Sequence, residues 1–230
     1  MKKIIFIACD TNNINLARKI IKHTRTKKLN IGYKFGLEFF NSKNGRNFIS
    51  KLNKNIIIWA DLKLMDIPNT VASAIKSLKD LKNLKYLTIH ISGGFDMLIA
   101  AKNSTKKFNK NLKLLGVTIL TSFSDKSLKN TGHTKTIKEI VKQQVRLAKK
   151  AKLDGIVCSG HEVKFIKNIC RGMKIVTPGI RFDEDDKQDQ SRVMSPKKAF
   201  QNGSNAIVIG RSITNGNIKN NVQKLIKSLN

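Results

Sequence analysis

Acidic residues are scarce in this chain of 230 residues: 15 Asp and Glu stand against 45 Lys and Arg, a formal charge of +30. Cysteine is scarcer still. Cys9, Cys158 and Cys170 are an odd number with no C-x-x-C spacing, which excludes a disulfide framework and a cysteine-built zinc site. Cys9 and Cys158 lie in apolar, strand-like runs, so reduced core thiols are expected. No apolar run is long enough to span a membrane, and no basic-then-apolar leader opens the chain. A soluble, cytoplasmic protein without a membrane partner is therefore expected.

The same sequence lacks zinc-ligand spacing, an aromatic RNA-binding motif and a helix-turn-helix pattern. These gaps matter because a charge of +30 raises nucleic acid as a partner. The lysines are spread over every predicted helix, as in Lys19, Lys22, Lys27 and Lys28 or Lys138, Lys142, Lys149 and Lys150. That distribution describes a solvated basic surface, and the abundance of Lys, Ile and Asn fits a genome biased toward adenine and thymine. No specific nucleic-acid partner is expected, although the charge favours an anionic, phosphorylated substrate.

What is present is a regular alternation of apolar runs and amphipathic stretches. Strands are predicted at Ile4 to Cys9, Ile31 to Phe35, Ile56 to Lys63, Tyr86 to Ile91, Leu112 to Leu120, Gly155 to Ser159, Lys174 to Thr177 and Ala206 to Ile209. Helices are predicted near Ile14 to His23, Glu38 to Leu52, Thr70 to Leu81, Phe95 to Ser104, Thr136 to Lys150, Glu162 to Ile169, Pro196 to Asn202 and Ile218 to Leu229. Eight such units without a linker-like break imply an α/β fold, one (β/α)8 TIM barrel domain over residues 1–230.

Barrel active sites lie at the carboxyl ends of the strands. Asp10, Lys34, Asp61, Lys63 and Thr121 fall there, at or just after strands one, two, three and five. Arg181 and Arg211 follow strands seven and eight, whose loops often hold phosphate, and Gly179 and Gly210 give a phosphate close access to the backbone.

The densest run is Trp59-Ala60-Asp61-Leu62-Lys63-Leu64-Met65-Asp66-Ile67-Pro68-Asn69-Thr70. Strand alternation puts Asp61 and Lys63 on one face as charge partners. Asp66 lies just beyond, Pro68 stiffens the turn, and Asn69 or Thr70 is expected to cap the next helix. Taken alone, D-x-K-x-x-D describes either a functional site or a salt bridge closing a strand end.

With its continuation Ile67-Pro68-Asn69-Thr70, this run resembles the signature of the orotidine 5'-phosphate decarboxylase family, in its short bacterial form. The resemblance extends through Ile7-Ala8-Cys9-Asp10, Tyr33-Lys34-Phe35-Gly36-Leu37-Glu38, His90-Ile91-Ser92-Gly93-Gly94, Val117 to Ser122, Gly155 to Ser159, Thr177 to Arg181 and Ile209-Gly210-Arg211. It implies decarboxylation of orotidine 5'-monophosphate to uridine 5'-monophosphate without metal or organic cofactor. It assigns Lys63 to stabilise and protonate a carbanion, Asp61 to lie near the substrate carboxylate, and Lys34 and Asp66 to complete an alternating charge array. Asp10 and Lys34 are implied at the ribose, Thr121 at the nucleotide, and Arg181, Gln190, Gly210 and Arg211 at the phosphate. The resemblance also implies a homodimer in which Asp66, Ile67 and Thr70 reach the neighbouring subunit's site. Met65 stands where many relatives carry His, and Trp59-Ala60 replaces a more usual aliphatic or Phe-Leu pair.

Two features outside this scheme raise the question of a metal, and neither supports one. Asp183, Glu184, Asp185, Asp186 and Asp189 crowd one polar connection, but consecutive carboxylates are more often solvated, and a phosphate-gripping lid is the expectation. His23, His90, His133 and His161 form no metal-ligand spacing, and His90 is expected to pack near the site. The nearest rivals are magnesium-dependent sugar-phosphate decarboxylases and hexulose-phosphate synthases, which share D-x-K-x-x-D but lack the full Ile-Pro-Asn-Thr continuation.

Overall fold

In the computed structural model, which describes residues 3–185 and 193–229, eight parallel strands close into a barrel in sequence order. They are β1 (Ile4–Ala8), β2 (Asn30–Phe35), β3 (Ile57–Leu64), β4 (Leu84–His90), β5 (Lys113–Val117), β6 (Gly155–Val157), β7 (Lys174–Ile180) and β8 (Ala206–Ile209). β8 pairs back onto β1, with Ala206 opposite Ile4 and Ile209 opposite Ile7. The expected barrel is therefore present.

Alternation along each strand divides the apolar residues between two layers. Phe6, Trp59, Tyr86, Leu115, Val176 and Val208 belong to the barrel interior. Ile5, Ile58, Leu87 and Ile207 face outward and pack with helical residues such as Ile20, Ile75, Val145 and Leu225. Burial on both faces explains why the strands are continuous apolar runs. Within the barrel, Phe6 meets Trp59 edge-on at 4.9 Å and Tyr86 at 5.3 Å. Each buried ring contributes about 2–3 kcal/mol, and together they pack the interior below the strands' carboxyl ends.

Most predicted helices are present with small shifts at their ends. Ile137–Lys150 begins with a reciprocal cap, in which the Thr136 hydroxyl accepts from the Glu139 amide and the Glu139 carboxylate accepts from the Thr136 amide. Elsewhere the prediction needs correction. The single helix expected from Glu38 to Leu52 is two short ones, Leu37–Asn41 and Gly45–Ser50. The Ser42 amide and hydroxyl both hydrogen-bond the Phe39 carbonyl, a local bonding preference that ends the first turn. The fourth helix starts at Pro68, with Ile67 at the cap position, so neither Asn69 nor Thr70 caps it. Proline's fixed φ suits the first helical position, and the Asp66 carboxylate accepts from the Ile67 amide at 2.7 Å. Strand β5 ends at Val117 rather than Leu120, leaving Ile119, Leu120 and Thr121 to line the open end of the barrel. Among the described residues, no helix is long and apolar enough to cross a membrane.

Candidate active site

The inward rows of β1, β2 and β3 deliver polar side chains once they rise above the aromatic floor. Asp10 follows β1, Lys34 lies near the end of β2, and Asp61 stands two residues above Trp59 on β3. Their side chains form a continuous line of alternating charge. Lys34 Nζ lies 2.8 Å from Asp10 Oδ1 and 3.3 Å from Asp61 Oδ2, while Lys63 Nζ lies 2.8 Å from the same Asp61 oxygen. Gly36 leaves space for this array, because a Cβ there would come within 3.2 Å of Asp10 Oδ1 and 3.6 Å of Lys34 Nζ.

The contact between Asp61 and Lys63 was expected from simple alternation, but the structure achieves it differently. Ala60 pairs with Leu87 and Leu64 with Ile89, so three residues of β3 stand opposite one residue of β4. Within this irregularity Lys63 adopts φ +47°, a left-handed conformation that costs an L-residue about 1–2 kcal/mol. The bulge turns the lysine back onto Asp61. Such strain at a chemically important position is characteristic of functional sites.

Burial and charge set the protonation states. Burial by itself disfavours the Lys34 ammonium, yet Asp61 and then Asp10 outweigh it and hold its pKa above the ordinary lysine value. Burial likewise opposes ionisation of Asp61, but the ammoniums of Lys34 and Lys63, with hydrogen bonds from Lys63 and Thr88, hold its carboxyl below the ordinary value. Asp61 thus stays an anion as pH falls toward 4, and Lys34 stays a cation as pH rises toward 10. His90 is half-buried at the end of β4, and burial followed by the Lys63 charge lowers its pKa, so the ring is neutral at pH 7. All three cysteines are buried and in no disulfide, and burial pushes Cys9 far up and Cys170 to about 12, leaving both inert as thiols.

On the far side of the opening, β7 and β8 contribute a second set of groups. Gly179 has φ +72°, a conformation suited to glycine. Arg181 is buried at 7% exposure, and its guanidinium donates to the Ile180 carbonyl at 3.2 Å. Gly210 directly precedes the short helix Arg211–Thr214. Both sets line one cavity of about 680 Å³, within the range of small-molecule sites.

Asp10, Lys34, Asp61, Lys63, Thr121, Arg181, Gly210 and Arg211 all line this cavity. Asp66, Ile67 and Thr70 are exposed and are not among its lining residues. Gln190 lies outside the described residues, as do Asp186 and Asp189 of the acidic connection around it. Ser122 is exposed and does not line the cavity. Sequence reasoning missed Thr214 and Asn215, which also line it and whose only signal was their position just after Gly210-Arg211. It missed Thr88 as well, a fully buried residue whose hydroxyl donates to Asp61 Oδ1 at 2.8 Å. Among the described residues, no group of three or more His, Cys, Asp or Glu is placed to hold a metal ion.

A family model described as "Orotidine 5'-phosphate decarboxylase / HUMPS family" matches residues 3–225. The chain belongs to that family. It is 44% identical over 211 residues to an orotidine 5'-phosphate decarboxylase from Ehrlichia canis, covering 91% of this chain and 90% of that protein. It is 41% identical over 230 residues to the protein of the same name from a Wolbachia of Brugia malayi, covering 98% of each. The crystal structure of orotidine 5'-phosphate decarboxylase from Lactobacillus acidophilus matches over the full length of both chains, with a TM-score of 0.84 and 34% identity. The family's description joins two kinds of enzyme, so membership alone does not choose between them. These relatives all carry the name of the decarboxylase.

Proposed function

We propose that this chain decarboxylates orotidine 5'-monophosphate to uridine 5'-monophosphate and carbon dioxide in de novo pyrimidine biosynthesis. The observation that carries the proposal is the alternating line Asp10, Lys34, Asp61, Lys63, facing the Arg181 and Arg211 loops across one cavity. This arrangement suits a nucleotide with its phosphate at the β7 and β8 loops and its pyrimidine carboxylate at the β3 charges. The relatives named orotidine 5'-phosphate decarboxylase support the same reading.

The chemical difficulty is an electron pair left in the plane of the pyrimidine ring, where the ring's π system cannot accept it. Lys63 supplies a cation beside the carbon that loses carbon dioxide and then gives that carbon a proton. With its side chain 32% exposed, Lys63 can regain the proton from solvent. Asp61 repels the substrate carboxylate, and this repulsion falls as neutral carbon dioxide departs, so the array favours the transition state over bound substrate. Lys34 and Asp10 hold the ribose hydroxyls and keep Asp61 in place. Thr121 contacts the nucleotide, while Arg181, Gln190, Gly210 and Arg211 bind phosphate. No step in this scheme calls for a metal, and Asp61 Oδ2 already faces two ammoniums.

The working unit in this proposal is a homodimer. Met65 and Ile67 are 56% and 68% exposed, Leu37 is 52% exposed, and Leu120 adds a fourth large apolar side chain at the surface. Such residues beside an active-site rim suit a self-complementary interface. Docking there brings Asp66, Ile67 and Thr70 to the partner's cavity, completing an array from which Asp66 is absent in the single chain.

Loss of orotidine 5'-monophosphate absorbance in excess chelator, with uridine 5'-monophosphate identified as product, tests this function. Metal-independent turnover is expected. A folded dimer without turnover, or activity only with added magnesium, overturns the proposal and favours the sugar-phosphate branch. Arg211→Ala is expected to weaken uridine 5'-monophosphate binding by about 10- to 100-fold while leaving uridine binding unchanged, since a charge-assisted phosphate contact is worth about 1.5–3 kcal/mol. Calorimetric titration of both ligands checks this, and an unchanged nucleotide affinity removes Arg211 from the phosphate site.

A further inference from the structure

We infer that Thr88 is the positioning residue that fixes the geometry of Asp61 and Lys63, an inference that rests on the decarboxylase reading of the site. Thr88 lies on the inward row of β4 between Tyr86 and His90 and is fully buried. It is the single β4 residue facing the three-residue irregularity of β3, between the pairs Ala60 with Leu87 and Leu64 with Ile89. A bulge of this kind interrupts the ladder and leaves backbone groups in need of other partners. The Lys63 amide finds one in Thr88 Oγ1 at 3.0 Å, so a side-chain oxygen substitutes for the missing ladder carbonyl.

A hydroxyl has one proton to give, and Thr88 donates it to Asp61 Oδ1 at 2.8 Å. One oxygen atom therefore ties the left-handed backbone of Lys63 to the carboxylate of Asp61. With Oδ1 held by Thr88, the plane of the carboxylate is set. Oδ2 is left to face Lys63 Nζ at 2.8 Å and Lys34 Nζ at 3.3 Å. A catalytic cation displaced by about 1 Å can cost about 100-fold in rate, so a small group beneath the array has large leverage. Thr88 is not among the residues lining the cavity, and its effect is exerted through the two residues above it.

The test compares Thr88→Val, which keeps the branched shape and loses the hydroxyl, with Thr88→Ser, which keeps the hydroxyl. Thr88→Val is expected to lower kcat by about 30- to 100-fold with KM and the uridine 5'-monophosphate dissociation constant changed less than about 3-fold. Thr88→Ser is expected to stay within about 3-fold of the unmodified chain in all three. Equal kcat for Val and the unmodified chain, or an equal loss in Ser and Val, overturns the inference. If Thr88→Val does not fold, Thr88→Ala replaces it in the comparison with Ser. A crystal structure of the Val or Ala variant reads the geometry without turnover, with a turned Asp61 carboxylate expected. An unmoved Asp61 and Lys63 pair there overturns the positioning role, whereas absence of orotidine 5'-monophosphate turnover in the unmodified chain refutes the decarboxylase reading alone.

Discussion

Lys63→Ala is expected to lower decarboxylation by at least about 10⁴-fold while leaving a folded barrel, because it removes the proton donor and the stabilising cation together. Each of those contributions is typically worth about 10²-fold or more, and here they belong to one ammonium. Folding should survive for three reasons. The Lys63 side chain is about one-third exposed, so its loss leaves no sealed cavity. Asp61 keeps Lys34 and Thr88 as partners, which spares it the cost of an unpaired buried carboxylate. Alanine meets the same left-handed conformation as lysine at this position, so the backbone cost is carried over unchanged. Absorbance assays at high enzyme concentration, with near-ultraviolet circular dichroism to report packing around Trp59, check both halves of the result. Residual turnover above about 1% in a folded variant would remove Lys63 from its proposed role.

The second large effect is a recovery of activity. Asp66→Asn and Lys63→Ala are each expected to be nearly inactive as homodimers. In a heterodimer carrying one variant per subunit, a shared-site arrangement leaves one site with both native residues and the other with neither. About half the activity of the native dimer should return, one working site out of two. If Asp66 acts within its own subunit, both sites of the heterodimer carry a defect and nothing returns. Two different affinity tags isolate the heterodimer, and its turnover per dimer decides between the arrangements. The single chain already poses the question, since Asp66 is exposed and its carboxylate is occupied with the neighbouring Ile67 amide.

Much of the architecture was legible from local rules. The apolar runs of the eight strands are continuous because both faces are buried, and a closed barrel of alternating units follows from their number and spacing. The positions of Asp10, Lys34, Asp61, Thr121, Arg181 and Arg211 around one cavity follow from their places at or after strand ends. Pattern reasoning was weaker where backbone bonding depends on a neighbour. It joined Leu37–Asn41 and Gly45–Ser50 into one helix because Ser42 interrupts the backbone without interrupting the apolar spacing. It extended β5 through Leu120 because Thr118, Ile119 and Leu120 are as compatible with a strand as the residues before them.

The sequence by itself determined the barrel and the kinds of charged residue at its carboxyl end, because strand periodicity and strand ends are local properties. Only the tertiary structure decided how those charges meet. Lys63 reaches Asp61 through a left-handed residue in a bulge, and the groups that fit around the pair, Thr88 on β4 and the space above Gly36, come from other segments. Irregular backbone of this sort depends on partners 25 and 27 residues away in the chain, Lys63 and Asp61 each to Thr88, and no local pattern of side chains encodes it.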